Sequence, residues 1–206
     1  MKRYLVPICL LIALLSPSRC LGEARVQFVM DGDTVLLENG ERIRYAGMDA
    51  PEMGREGRSE PDFLAEAARR FNEQAVQGKR VRLETDREVR GRHGRLLAYV
   101  FLEDDSMINR VLVQRGLACV MTTPPNVRHR SELLAAQREA MASRRGLWGV
   151  PLDREGRSYV GSRKSYRFHR PSCRYARRIA PSNRVVFETL RQAFWHGYSP
   201  CAQCLP

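Results

Sequence analysis

The chain has 206 residues, enough for one sizeable domain and a small one. It carries a formal charge of +12, dominated by arginine, which favours a polyanionic partner: nucleic acid, an acidic membrane surface or an acidic polysaccharide. A solvated basic surface with no specific partner is the alternative, while the lack of any internal repeat or low-complexity tract excludes a solenoid or a disordered array.

The N-terminus reads as a leader. Lys2 and Arg3 precede an apolar run from Leu5 to Leu15, which Ser16, Pro17 and Ser18 break. This is the layout of a signal peptide over residues 1–22, with cuts after Gly22 or Ala24 both compatible. The apolar run is short for a membrane span, which needs roughly 20 residues. Secretion or a periplasmic location is therefore expected; an uncleaved membrane anchor, or a lipid anchor at Cys20, are the alternatives. Cleavage after Gly22 would remove Lys2, Arg3 and Arg19 but no acid, so the basic character belongs to the remainder.

Arg25 to Met30 alternates apolar and polar side chains, and an Asp31-Gly32-Asp33 turn follows. Thr34 to Glu38 and Arg42 to Ala46 flank Asn39-Gly40, a hairpin signal, so the segment reads as a three-stranded meander. A helix is expected over 59–78, capped by Ser59 with Pro61 in its first turn and Phe63, Ala67, Phe71 and Ala75 as its apolar stripe. Lys79 to Thr85 and Leu96 to Leu102 read as strands. Helices follow from Ser106 to Gly116 and from Arg130 to Arg144, the second with Leu133, Leu134, Gln137 and Met141 inward. The order predicts a β-rich α+β fold: a five-stranded OB-type barrel with about three helices over residues 24–149. Residues 150–158 read as a linker, and 159–206 as a separate small module.

Four carboxylates occupy two loops, Asp31 and Asp33 on one, Asp49 and Glu52 on the other. Hard divalent cations take oxygen ligands of this kind. Arg44 precedes Asp49 by five residues, and Arg95 heads a buried strand. Phosphoryl chemistry needs a cation, donors for developing charge and a group to activate water, and the set holds all three. Taken singly, each residue also reads as an ordinary turn acid or surface arginine.

The runs Asp31-Gly32-Asp33-Thr34-Val35, Arg44, Asp49-Ala50-Pro51-Glu52 and Gly94-Arg95-Leu96-Leu97-Ala98-Tyr99-Val100 resemble the staphylococcal nuclease (thermonuclease) family. Gln114-Arg115-Gly116-Leu117-Ala118 and Gly146-Leu147-Trp148 support the resemblance. It implies calcium-dependent endonuclease activity on DNA and RNA, breaking the 5′ P–O bond to leave 3′-phosphate ends. Asp33 and Asp49 would bind calcium, with Asp31 supporting; Glu52 would orient or deprotonate water; Arg44 and Arg95 would hold the phosphate. The chain departs from the family pattern at His93, Thr122 and Pro124, where tyrosines are expected. Stacking on an aromatic is worth roughly 1–3 kcal/mol per base, so base preference is altered while the hydrolytic set is complete.

At the C-terminus, His169-x3-Cys173 and Cys201-x2-Cys204 supply four N/S ligands suited to structural tetrahedral zinc. A disulfide among the three cysteines is the alternative. The segment also resembles the zinc module of the Ada DNA-repair protein, through Phe168-His169-x3-Cys173, Asn183-Arg184-Val185-Val186-Phe187 and Gly197-Tyr198-x-Pro200-Cys201-x2-Cys204. His169 stands where that module has its methyl-accepting cysteine, so methyl transfer is not expected. Arg163, Lys164, Arg174, Arg177 and Arg178 could touch nucleic acid or form a solvated basic face. The reading is a monomeric nuclease without an obligate protein partner; a non-catalytic nucleic-acid-binding barrel, or a zinc module serving protein interaction, are its competitors.

Overall fold

A computed structural model describes residues 19–54, 60, 62–152 and 158–204. The leader up to residue 18, the cap at Ser59, Pro61 and residues 153–157 of the expected linker lie outside the described residues. Five strands close a barrel: β1 (Arg19–Val29), β2 (Thr34–Leu37), β3 (Arg42–Tyr45), β5 (Arg80–Thr85) and β6 (Leu96–Phe101), in the order β1-β2-β3-β6-β5. All five are strands the sequence predicts, Leu96–Phe101 because it is apolar on both faces rather than alternating. Each points one row inward, and Val26, Val29, Val35, Leu37, Ile43, Tyr45, Val81, Leu83, Ala98 and Val100 form the buried interior. β1 begins earlier than expected: Arg19 and Cys20 pair with Thr85 and Glu84, so a cut after Gly22 would shorten this strand.

The fourth strand in chain order, β4 (Met48–Asp49), stands outside the barrel and pairs with β7 (Cys119–Val120). Helix α1 (Ala65–Val76) starts later than predicted and buries Ala65, Ala68, Asn72 and Val76. Phe63 therefore precedes the helix and is exposed, and Ala67 faces outward. The buried stripe differs from the expected one because Leu64, at φ 68°, breaks the helix before its predicted first turns are complete. Helices α2 (Ile108–Gln114) and α3 (Arg130–Ala142) follow the predicted positions, and Leu133, Leu134, Gln137 and Met141 are buried on α3 as expected.

The C-terminal module is a four-stranded sheet in the order β10-β8-β9-β11, with β8 (Tyr159–Ser162), β9 (Arg167–His169), β10 (Arg184–Phe187) and β11 (Ser199–Pro200). Short helices α4 (Arg174–Arg177) and α5 (Leu190–Trp195) complete it. Its apolar cluster is small: Tyr159, Phe168, Phe187, Ala193 and Tyr198. It does not hang free of the barrel domain. Three successive carbonyls at the end of α5 accept hydrogen bonds from α3: Phe194 from Gln137 (2.6 Å), Trp195 from Arg138 (2.9 Å) and His196 from Arg130 (3.3 Å). Carbonyls at a helix C-terminus lack intrahelical partners, and the two arginines also complement the negative end of α5. Trp148 and Phe194 meet edge to face at 5.2 Å, and Arg191 donates to Met141 O at 3.1 Å.

Candidate nuclease and zinc sites

The two acidic loops meet at one end of the barrel because Gly32 lets them. A Cβ there would fall 2.6 Å from Ala50 Cβ and 2.8 Å from Ala68 Cβ, so only glycine allows the Asp31–Asp33 turn to press against the Asp49 loop and α1. Asp31 Oδ1 accepts from the Asp33 N–H at 2.9 Å, and Asn72 Nδ2 donates to Asp31 O at 3.1 Å. Asn72 is in turn held by the Tyr45 hydroxyl at 2.8 Å, so a buried side-chain chain fixes the turn from below.

Asp33 is 1% exposed. Its carboxylate accepts from the Ala50 N–H (2.8 Å), the Thr34 hydroxyl (3.0 Å) and Arg44 Nη1. Arg44 Nη2 donates to Asp49 Oδ1, so one buried guanidinium spans both acids. Burial pushes the Asp33 carboxyl up to about 7, against the pull of Arg44, with Asp31 and Asp49 adding repulsion. The guanidinium is driven the other way: burial opposes its charge, but the two aspartates hold it above its ordinary range.

Glu52 is exposed, and its N–H is tied to Asp62 Oδ2 at 3.0 Å. Partial burial raises its carboxyl above the usual range, reinforced by Asp31 and Asp49 and opposed by Arg44 and Arg95. Arg95 reaches Thr34 Oγ1 at 3.5 Å, the hydroxyl that also touches Asp33. The structure thus brings Asp31, Asp33, Arg44, Asp49, Glu52 and Arg95 to one end of the barrel. Of the departures, Thr122 is buried, while His93 and Pro124 are exposed. Asn72 and Tyr45 join the site unannounced, since nothing in the sequence distinguishes a buried loop anchor from a helix-face amide and a core ring.

The family described as Staphylococcal nuclease homologue matches residues 42–150, more than half of the chain. The chain belongs to the staphylococcal nuclease family. The family match starts at the third barrel strand; β1, β2 and Asp33 are joined to it by the closed barrel. A thermonuclease of Staphylococcus intermedius is 37% identical over 126 residues, covering 60% of this chain and 74% of the relative. A thermonuclease of Staphylococcus hyicus is 31% identical over 123 residues, covering 58% and 72%. An endonuclease of Bacillus subtilis (strain 168) is 30% identical over 124 residues, 58% of each chain.

A second family, the metal binding domain of Ada, matches residues 153–206 of this staphylococcal nuclease homologue. There His169, Cys173, Cys201 and Cys204 bring one ligand atom each to within 4.8 Å of one another. Cys173 Sγ lies 3.6 Å from His169 Nδ1. Four described cysteines, these three and Cys119, are free thiols, so no disulfide occupies the cluster. Burial and the neighbouring Arg167 lower the His169 pKa, keeping the imidazole neutral as a metal ligand must be. Cys173 is lowered as well: burial raises it, but the N–H groups of Tyr175 and Ala176 and the Cys204 and Cys201 thiols together outweigh that. The soft N/S set fits structural zinc with every ligand position filled by protein.

Proposed function

We propose that this nuclease of the staphylococcal nuclease family is a calcium-dependent endonuclease that hydrolyses DNA or RNA to 3′-phosphate ends outside the cytoplasm. The observation that carries the reading is the convergence of Asp33 and Asp49 on Arg44, beside Glu52 and Arg95, at one end of the barrel. The donor set is all oxygen and strongly acidic, which fits calcium. Asp33 and Asp49 would hold it, with Asp31 supporting. When bound, calcium would supply a positive centre beside the nonbridging phosphate oxygens.

Glu52 is the general base. Its raised pKa brings it closer to neutrality, where a base is most effective at taking a proton from water. The activated oxygen attacks phosphorus, the 5′ oxygen leaves with the electron pair of the broken P–O bond, and the phosphate stays on the 3′ oxygen. Arg44 and Arg95 stabilise the extra charge of the five-coordinate transition state through charge-assisted hydrogen bonds. The leader-like N-terminus supports secretion or a periplasmic location. The zinc module fits a structural role within one monomeric chain.

The test is a digest of single-stranded DNA and of RNA by the full chain with calcium, with magnesium and with EDTA, the product ends being read by phosphatase-dependent labelling. Calcium-dependent cleavage to 3′-phosphates is expected, and Glu52→Gln combined with Arg95→Ala should abolish it. Undiminished cleavage by that double variant would refute the assignment of these residues.

A further inference from the structure

The strand pair that carries Asp49 is held from behind by α3. β4 and β7 lie outside the barrel and have two residues each, so the ladder between them is short. Asp49 is paired with Cys119, and Met121 N donates to Gly47 O at 2.9 Å. Two α3 side chains one turn apart, Leu133 and Gln137, support this ribbon. A Cβ at Gly47 would come within 2.6 Å of Leu133 Cδ1, so the entry to β4 presses directly on the helix. Gln137 is fully buried, and its Oε1 accepts from Val120 N at 2.7 Å.

The same amide reaches the C-terminal module. Gln137 Nε2 donates to Phe194 O at 2.6 Å. Val120 offers a donor and Phe194 an acceptor, so the partners fix which end of the amide faces which. One side chain serves both only while the ribbon and the module stand at a set distance. The Phe194 ring is seated between two others, edge to face with Trp148 at 5.2 Å and with Phe168 at 5.3 Å. Phe168 is fully buried beside the ligand His169, and its carbonyl accepts from the N–H of the ligand Cys201 at 2.9 Å. The ligand cluster therefore borders the ring that packs on Phe194, and Phe194 holds Gln137.

We propose that Gln137 is a positioning residue for Asp49, and that the zinc-loaded module sets the calcium affinity of the nuclease centre through it. This rests on the nuclease reading for Asp49 as a calcium ligand. Asp49 and Asp33 share the Arg44 guanidinium, so a ribbon that drifts changes the spacing of the two carboxylates that would hold the cation. Calcium affinity depends on the rigidity of the ligand frame as well as on its charge. Gln137 acts only through Val120 and the β4–β7 ladder; the proton and the leaving group are handled elsewhere.

The test is calcium binding by the full zinc-loaded chain, read by titration calorimetry well below its melting temperature, with zinc content measured on each variant. Gln137→Leu is expected to weaken calcium binding about three- to tenfold, the strength of about one net hydrogen bond. It should also speed hydrogen exchange at the Met121 N–H, whose partner Gly47 O lies across the ribbon. Cys201→Ser, which lowers bound zinc, should reproduce both effects, and the two changes together should lose no more than either. Gln137→Met, unbranched like glutamine, replaces the leucine variant if that one releases zinc. Val81→Ala, in the barrel interior, is the control: it should lower Tm and leave calcium affinity unchanged. Unchanged calcium affinity and Met121 exchange in a zinc-loaded Gln137 variant overturn the proposal, and so does an equal loss of affinity in Val81→Ala, which would mark a general stability effect. A wild-type chain that binds no calcium would overturn the calcium reading instead. Met121 exchange then decides the positioning by itself: faster exchange in the Gln137 variant upholds it, and unchanged exchange sinks it.

Discussion

Gln137→Leu tests whether the two units form one cooperative structure. Leucine fills nearly the same volume, so the cavity contribution is small. What is lost is polar: the buried Val120 N–H loses its acceptor at 2.7 Å, and Phe194 O loses one donor at 2.6 Å while keeping the Gly197 N–H at 2.8 Å. An unsatisfied buried N–H costs about 1–3 kcal/mol, and the Phe194 carbonyl, still paired, adds little to it. At roughly 2–4 °C per kcal/mol for a chain of this size, Tm should fall by about 2–12 °C. Circular dichroism melting of the zinc-loaded chain would measure it. A single transition at lower temperature is expected; a Tm within about 2 °C of wild type would refute the idea that Gln137 fastens the module to the barrel.

Asp33 gives a pH prediction. Its carboxyl lies near 7 in the folded chain, against 3.8 for an unperturbed aspartate, so the folded state holds the extra proton between those values. Its contribution to stability is fully present below 3.8 and is lost as pH rises through about 7. Calcium needs the deprotonated form, so added calcium should raise Tm more at about pH 8 than at about pH 6, as scanning calorimetry would show. Arg44→Met should cost about 3–5 kcal/mol in EDTA at about pH 8, because it strands a buried carboxylate, and less at about pH 5.5, where Asp33 can take a proton; urea unfolding at the two pH values separates these. Cys201→Ser should lower bound zinc, measured by metal analysis, and broaden or split the melting transition, because the module's own apolar cluster is small.

Much of the barrel is legible in the sequence because Arg80–Thr85 alternates, Leu96–Phe101 is apolar on both faces and the Asn39-Gly40 turn declares a hairpin. The candidate-site residues are legible through motifs that happen to be local. The β4–β7 ribbon is not: two-residue strands carry no period, and Asp49 and Cys119 are far apart in the chain. Periodicity starts helix α1 too early because Phe63 fits an apolar repeat that the backbone at Leu64 interrupts. Gln137 reads correctly as an inner-face residue of α3, yet its two hydrogen bonds depend on groups from two other elements. Arg167 reads in the sequence as one basic residue among many; only the parallel pairing of β9 with β11 gives it Ser199 as a partner.

The parallel pairing of β9 with β11 also has a consequence for the order of synthesis. Arg167 and Ser199 are 32 residues apart, with Cys201 and Cys204 later still. The barrel strands and all three of its helices are complete by Ala142, well before that clasp can close. During translation a folded barrel therefore precedes the module, and the face of α3 that receives α5 waits in water until α5 is made. A ribosome-bound chain would bring Asp33, Arg44 and Asp49 together while Cys201 and Cys204 were still to be made.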